Sequence, residues 1–246
     1  MEKKIKALSF TPMLISVLCM PCYAMHIMEG FLPIGWSVAW SVIACPFFVF
    51  GFYAIKKNVA GSSRKLLLLA MCGAFAFVLS ALKIPSVTGS SSHPTGVGIG
   101  AILFGPLAMT VVGTIVLLFQ ALLLAHGGIT TLGANVFSMA IIGPLVSYFT
   151  YKISMKFNVN KNISIFIAVF LGDLLTYVTT SLQLGLAFAD ASGGIISATT
   201  EFLAIFAITQ LPIAISEGIL AVVFFSIIEK YSREEVEELL ERKAVK

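Results

Sequence analysis

The stretch Gly98-Ile99-Gly100-Ala101-Ile102-Leu103-Phe104-Gly105-Pro106-Leu107-Ala108-Met109-Thr110-Val111-Val112-Gly113 opens an apolar run that continues to Ala125. Read as one helix, it crosses a bilayer once. Read as two helices turning at Gly105-Pro106, it crosses twice, and the fold gains a passage. Around it, the chain is 58% hydrophobic and 11% charged, with a mean hydropathy of +0.99. A soluble domain is not built from that composition. The other apolar runs, about Pro33 to Ile55, Leu66 to Leu82, Leu132 to Tyr151, Ile163 to Phe188 and Thr199 to Ile228, are long enough to span a bilayer. The chain is therefore read as an all-α polytopic membrane protein.

Charge decides between the two readings of 98–125. Lys3, Lys4 and Lys6 precede an apolar stretch, and Pro21-Cys22-Tyr23-Ala24 follows it. That pattern predicts a signal peptide over 1–24, removed after Ala24, which leaves the mature N-terminus outside. Lys56, Lys57, Arg64 and Lys65 then lie inside. Two further basic clusters follow, at Lys152, Lys156 and Lys161 and in the tail from Lys230 to Lys246. They fall inside only if 98–125 crosses twice. Each half would be short, about 20 Å at 1.5 Å per residue, which a surrounding protein can tolerate. The expectation is seven segments, N-out and C-in, with a membrane domain over 25–228 and a charged, exposed cytoplasmic helix over 229–246.

This topology puts the chain's histidines, His26, His93 and His126, on one side. Cleavage after Ala24 would make His26 the second residue of a free N-terminus. The Met25 amine, the His26 amide nitrogen and its Nδ1 can then close two fused chelate rings on one cation. Such nitrogen donors suit Co, Ni or Cu. His93 is the best remaining ligand, in a loop of small residues where Ser90, Ser91, Ser92 and Thr95 are placed to hold its other ring nitrogen. His126 is a secondary ligand, since His-Gly-Gly at a span end reads equally well as a cap. Met28 and Glu29 have the same secondary standing. Asp173, Glu201 and Glu217 lie within spans and read as interhelical hydrogen-bonding groups or, less simply, as an ion path. Asn135, Gln120, Gln183 and Gln210 belong with them. Ala70 to Ala74 is a small-residue ridge on which another helix could seat.

Several function classes drop out. There is no GxxxxGK[ST], HExxH or GxSxG, and so no P-loop, zincin or nucleophile elbow. Cys19 and Cys22 lack the small preceding residue of a lipobox. The net charge of +4 is explained by topology rather than by nucleic acid.

The sequence Met25-His26-Ile27-Met28-Glu29-Gly30-Phe31-Leu32-Pro33 resembles the N-terminus of the CbiM/NikM family. Gly127-Gly128-Ile129-Thr130-Thr131-Leu132-Gly133-Ala134-Asn135-Val136-Phe137-Ser138-Met139 is similar to that family's internal motif, and Gln210 to Gly218 to its last-span motif. The family comprises metal-specific S components of energy-coupling-factor transporters in prokaryotic cell membranes. The resemblance implies a six-helix S-component core plus one N-terminal helix, and a metal held by Met25, His26 and His93. It implies a transmembrane coupling (T) subunit, an ABC-type ATPase and a small additional membrane subunit as partners, with Ala70 and Ala74 at the partner interface. The chain itself would be no enzyme and would carry no cofactor, only the transported Co(II) or Ni(II). Met28-Glu29 resembles the cobalt branch, which implies supply of cobalamin biosynthesis. A nickel-specific component is the alternative. An ion-driven secondary transporter stands further off, because neither an internal repeat nor an acid relay is visible, and so does a membrane-embedded metalloenzyme, because Glu29 and Asp190 are the only acids expected on the outer side.

Overall fold

The structure, a computed structural model, describes residues 23–24, 26–82, 84–85, 90–189 and 193–244. Residues 1–22, most of the expected signal peptide, and Met25 lie outside them. Among the described residues, six helices are long and apolar enough to cross a membrane. Two of them are α1 (Ile34–Val59), which opens just after Pro33, and α2 (Ser63–Ala81), capped by Ser62, whose Oγ accepts from the Lys65 amide. Three very short strands follow a different logic. β1 (Tyr23–Ala24), β2 (Ile84–Pro85) and β3 (Ser90–Ser92) form a ladder in the order β1-β3-β2, with Tyr23 opposite Ser90 and Ile84 opposite Ser92.

The run 98–125 is broken where the sequence breaks it. α3 (Gly98–Phe104) ends at Gly105, whose φ of 90° and ψ of 159° suit a residue without a Cβ. Pro106 then opens α4 (Pro106–Leu124), where a missing N–H costs nothing. The two halves are unequal. All seven residues of α3 are buried, so it is a core element whose exposed neighbours are other helices rather than lipid. The Phe104 carbonyl accepts from Asn58 near the end of α1, while His93 before α3 and His126 after α4 come together at the opposite end. The segment therefore runs in from the histidine end and returns to it. At seven residues, α3 is too short to span a bilayer as a helix.

α5 (Leu132–Lys156) is α-helical except over Val136–Ile142, which is a π-helix. α6 (Lys161–Ala187) and α7 (Gly194–Tyr231) complete the spans. α5 and α6 approach closely: a Cβ on Gly172 would lie 2.0 Å from Ser147 Oγ. The core centres on α3, with Ile99, Ile102 and Leu103 packed in one cluster with Met109, Met139, Val169 and Phe225.

The tail differs from its expectation. α8 (Arg233–Ala244) is docked rather than exposed, because Val236 and Leu239, three residues apart, share one face and are buried. Arg64 and Lys65 at the start of α2 pair with Glu235 and Glu238 and hold that face down.

Candidate metal centre

The segment after β1 lies as a strap across the start of α5. Asn135 accepts from the Ile27 amide at 2.8 Å and donates from Nδ2 to the Ile27 carbonyl at 3.0 Å. Thr131 Oγ1 donates to the same carbonyl at 2.6 Å, and the Gly30 amide donates to Thr130 Oγ1 at 3.1 Å. Glycine makes this approach possible: a Cβ on Gly128 would lie 2.4 Å from Glu29 Cα. Glu29 caps the arrangement from outside, accepting from the Thr130 amide at 3.2 Å. Hydrogen bonding from Thr130 holds the Glu29 carboxyl below its ordinary value, against a smaller raising effect of desolvation.

The strap delivers His26 to a buried cluster. His26 Nδ1 lies 2.7 Å from His93 Nε2 and 2.7 Å from His126 Nε2. The rings of His26 and His93 stack at 4.5 Å, 9° from parallel, and His126 stands nearly perpendicular to His26. All three side chains are nearly inaccessible to solvent. The other nitrogens of His93 and His26 face acceptors. His93 Nδ1 is 2.9 Å from the Pro94 carbonyl, which can only accept, so Nδ1 carries the hydrogen and Nε2 does not. His26 Nε2 is 3.2 Å from Met139 Sδ, another acceptor, which leaves Nδ1 unprotonated. In the neutral rings, His26 Nδ1 and His93 Nε2 thus turn lone pairs toward each other, with His126 Nε2 beside them. At metal–nitrogen bonds of about 2.0 Å, neighbouring donors on one ion sit roughly 2.8–3.3 Å apart. The cluster, with its ligand atoms within 4.8 Å of one another, approaches that spacing.

A second layer holds the loop that carries His93. Glu217 on α7 accepts from the Thr95 amide at 2.6 Å, from Thr95 Oγ1 at 2.9 Å and from the Gly96 amide at 2.8 Å. Gln210, two turns earlier, reaches the His93 carbonyl at 3.4 Å and Asp173 Oδ2 on α6 at 2.5 Å.

Measured against the sequence, the three histidines come together, and His126 is as close to His26 as His93 is. The partner of the second His93 nitrogen is Pro94 rather than a serine or threonine. Ser92 instead bonds Thr209, and Thr95 bonds Glu217. Asp173 and Gln210 do bridge two helices, Glu217 holds the loop while also meeting Asp173 across the same two helices, and Glu201 is exposed. Met28 contributes its carbonyl to the turn, accepting from the Phe31 amide. Met139 was not singled out, since nothing in its spacing announces the π-helix that aims its sulfur at His26. Ala70 and Ala74 are exposed on α2, facing away from the cluster's core.

A family model described as the cobalt uptake substrate-specific transmembrane region, CbiM, matches residues 26–235. The chain belongs to that family. Among CbiM relatives, the cobalt transport protein of Ruminiclostridium cellulolyticum is 59% identical over 216 residues, 88% of this chain and 87% of its own. That of Acetoanaerobium sticklandii is 58% identical over 234 residues, 94% and 96% of the two chains. A crystal structure of a truncated transition metal transporter superposes with a TM-score of 0.73 at 25% identity, covering 84% of this chain and 99% of that one. A second transition metal transporter gives 0.71 at 27% identity, covering 84% and 93%. CbiM membership and the apolar helices make this a multi-pass cell-membrane component of metal uptake. The CbiM match begins at His26, where the strap begins.

Proposed function

We propose that this chain is the cargo-capturing S component of an ATP-driven energy-coupling-factor importer for Co(II), supplying cobalamin biosynthesis. The observation that carries the reading is the convergence of His26 Nδ1, His93 Nε2 and His126 Nε2 in a buried cluster. In this reading the signal peptide ends at Ala24, and the Met25 amine joins the His26 amide nitrogen and Nδ1 in a fused chelate. His93 Nε2 completes the nitrogen set, and His126 Nε2 stands beside it as an additional donor. Both chelating rings present the correct nitrogen, because Met139 and Pro94 take the other one.

The chain passes the membrane seven times, with the strap outside and α8 inside, the excursion through α3 and α4 supplying two passages. The positive-inside distribution supports that orientation. ATP hydrolysis takes place in an ABC-type ATPase partner. A T subunit and a small additional membrane subunit complete the complex, the former seated on the Ala70–Ala74 ridge. Ni(II) is the second reading, favoured by one observation: an all-nitrogen donor set does not exclude it.

The test is intact mass and metal content on one sample of the purified chain. A mass beginning at Met25, with Co(II) bound and lost in His26→Ala and His93→Ala, is the expected result. A chain that keeps its leader and binds equally well overturns the N-terminal chelate. Equal retention of Ni(II) in cells grown with both metals moves the cargo to nickel.

A further inference from the structure

Glu217 lies in the last span, far from any ligand in sequence, yet it makes three hydrogen bonds to the loop bearing His93. It is fully buried, and every one of those donors comes from Thr95 or Gly96. A carboxylate taking three N–H and O–H donors is a strong clamp. Gln210, seven residues earlier and so on the same face of α7, grips the His93 carbonyl as well. From the other side the loop presses on α2: a Cβ on Gly96 would lie 2.5 Å from Ala76 Cα. The His93 loop is thus wedged between α2 and α7. At the far end of the bundle those two helices are joined again, by α8, which continues from α7 and pairs with Arg64 and Lys65 at the start of α2.

We propose that Glu217 is a positioning residue, the latch through which α7 keeps His93 in register with His26, so that loss of its grip withdraws His93 and releases the cargo. This rests on the reading of His93 as a ligand. The latch assigns a mechanical task to an intramembrane acid that never meets the ion. It also places the release control on the helix whose far end faces the ATPase side in the proposed orientation. Some 14 residues separate Glu217 from Tyr231, the end of α7, about 21 Å at 1.5 Å per residue. A shift applied at α8 therefore reaches the loop along one rigid element.

The experiment is a double-mutant cycle on the full chain in nanodiscs, with Co(II) affinity and dissociation rate measured by competition with a chromogenic chelator. Glu217→Gln puts an amide where three donors point. It should weaken binding by about 10–100-fold. His93→Ala should weaken it too, and Glu217→Gln in the His93→Ala background should then add nothing, because the latch acts only through His93. A purely structural role would give the same loss in both backgrounds and overturns the proposal. So does Glu217→Gln binding within about twofold of the wild type. If His93→Ala itself binds as the wild type does, the ligand reading fails first, and the latch with it. Should Glu217→Gln fail to fold, Thr95→Val removes only the Oγ1 donor in a nearly unchanged volume. It should raise the dissociation rate about threefold or more, and an unchanged rate overturns the latch.

Discussion

Replacing Gly128 by alanine tests the strap directly. The new Cβ would sit 2.4 Å from Glu29 Cα, 2.5 Å from Glu29 Oε2 and 2.6 Å from the Glu29 nitrogen. Ordinary contact begins near 3.4 Å, so the backbone of the strap has to retreat by about 1 Å. It cannot swing aside as a side chain would, since two of the three crowded atoms are main chain. The retreat is resisted by the Asn135 and Thr131 bonds to Ile27, at 2.6–3.0 Å, which it must stretch. His26 is one residue further along and moves with them, drawing Nδ1 off the 2.7 Å spacing to its two neighbours. Misplacement of a donor on this scale should lower Co(II) affinity by about 10–100-fold. Because the retreat stretches the Ile27 bonds without removing a partner, the melting temperature of the metal-free protein should fall less than it does in Asn135→Leu. Calorimetric titration with Co(II), alongside thermal unfolding of the metal-free protein in the same nanodiscs, separates the two effects. Affinity within twofold of the wild type would refute the reasoning, since the strap would then have another way to seat His26. As a contrast, Gly133→Ala drives a Cβ to 2.5 Å from Ser41 Cα between α1 and α5, and should lower stability with or without metal.

Asn135→Leu strands the Ile27 amide in a buried site and should cost about 1–3 kcal/mol in unfolding free energy, read as a lower midpoint in denaturant. Gly105→Ala forces a side chain into a backbone conformation reserved for glycine and should cost about 1–3 kcal/mol, with Gly100→Ala unsuitable as a control because its Cβ meets Met109 Sδ at 2.2 Å. Acidification should release the metal, because protons compete with the cation for its nitrogen donors. Glu29 acts through the strap: with its folded pKa depressed, its support is complete above the ordinary value of 4.5 and is lost as pH falls through the lowered one. Glu29→Gln should therefore destabilise the metal-free protein above that window and change little below it, as unfolding measured across pH would record.

Much of this was legible in the sequence because it rests on residue types with narrow uses. Gly105-Pro106 marks a break that only those two residues make cheaply, and the break is there. The three histidines meet because both turns of the 98–125 excursion end on one side, which the lysine pattern already required. What stayed hidden depends on register rather than type. The π-helix at Val136–Ile142 rotates Met139 relative to an α-helical spacing, and no pattern of apolar residues announces it. The Pro94 carbonyl as the partner of His93 could not be guessed among four neighbouring hydroxyls. Glu217 looked like any buried acid, since its partner lies 122 residues upstream. The docking of α8 rests on Val236 and Leu239 amid a strongly charged helix, too thin a stripe to outweigh its charges on paper.

The ladder of distances along the chain has a further consequence. The site joins residue 26 to residue 126, and its clamp comes from residue 217. A ribosome releasing this protein into the bilayer therefore completes the cage last, when α7 emerges. Until then the loop after β3 lacks the Glu217 hydrogen bonds to Thr95 and Gly96. On the proposed reading of the histidine cluster as the metal site, the chain is ready to be loaded only once α7 has been inserted.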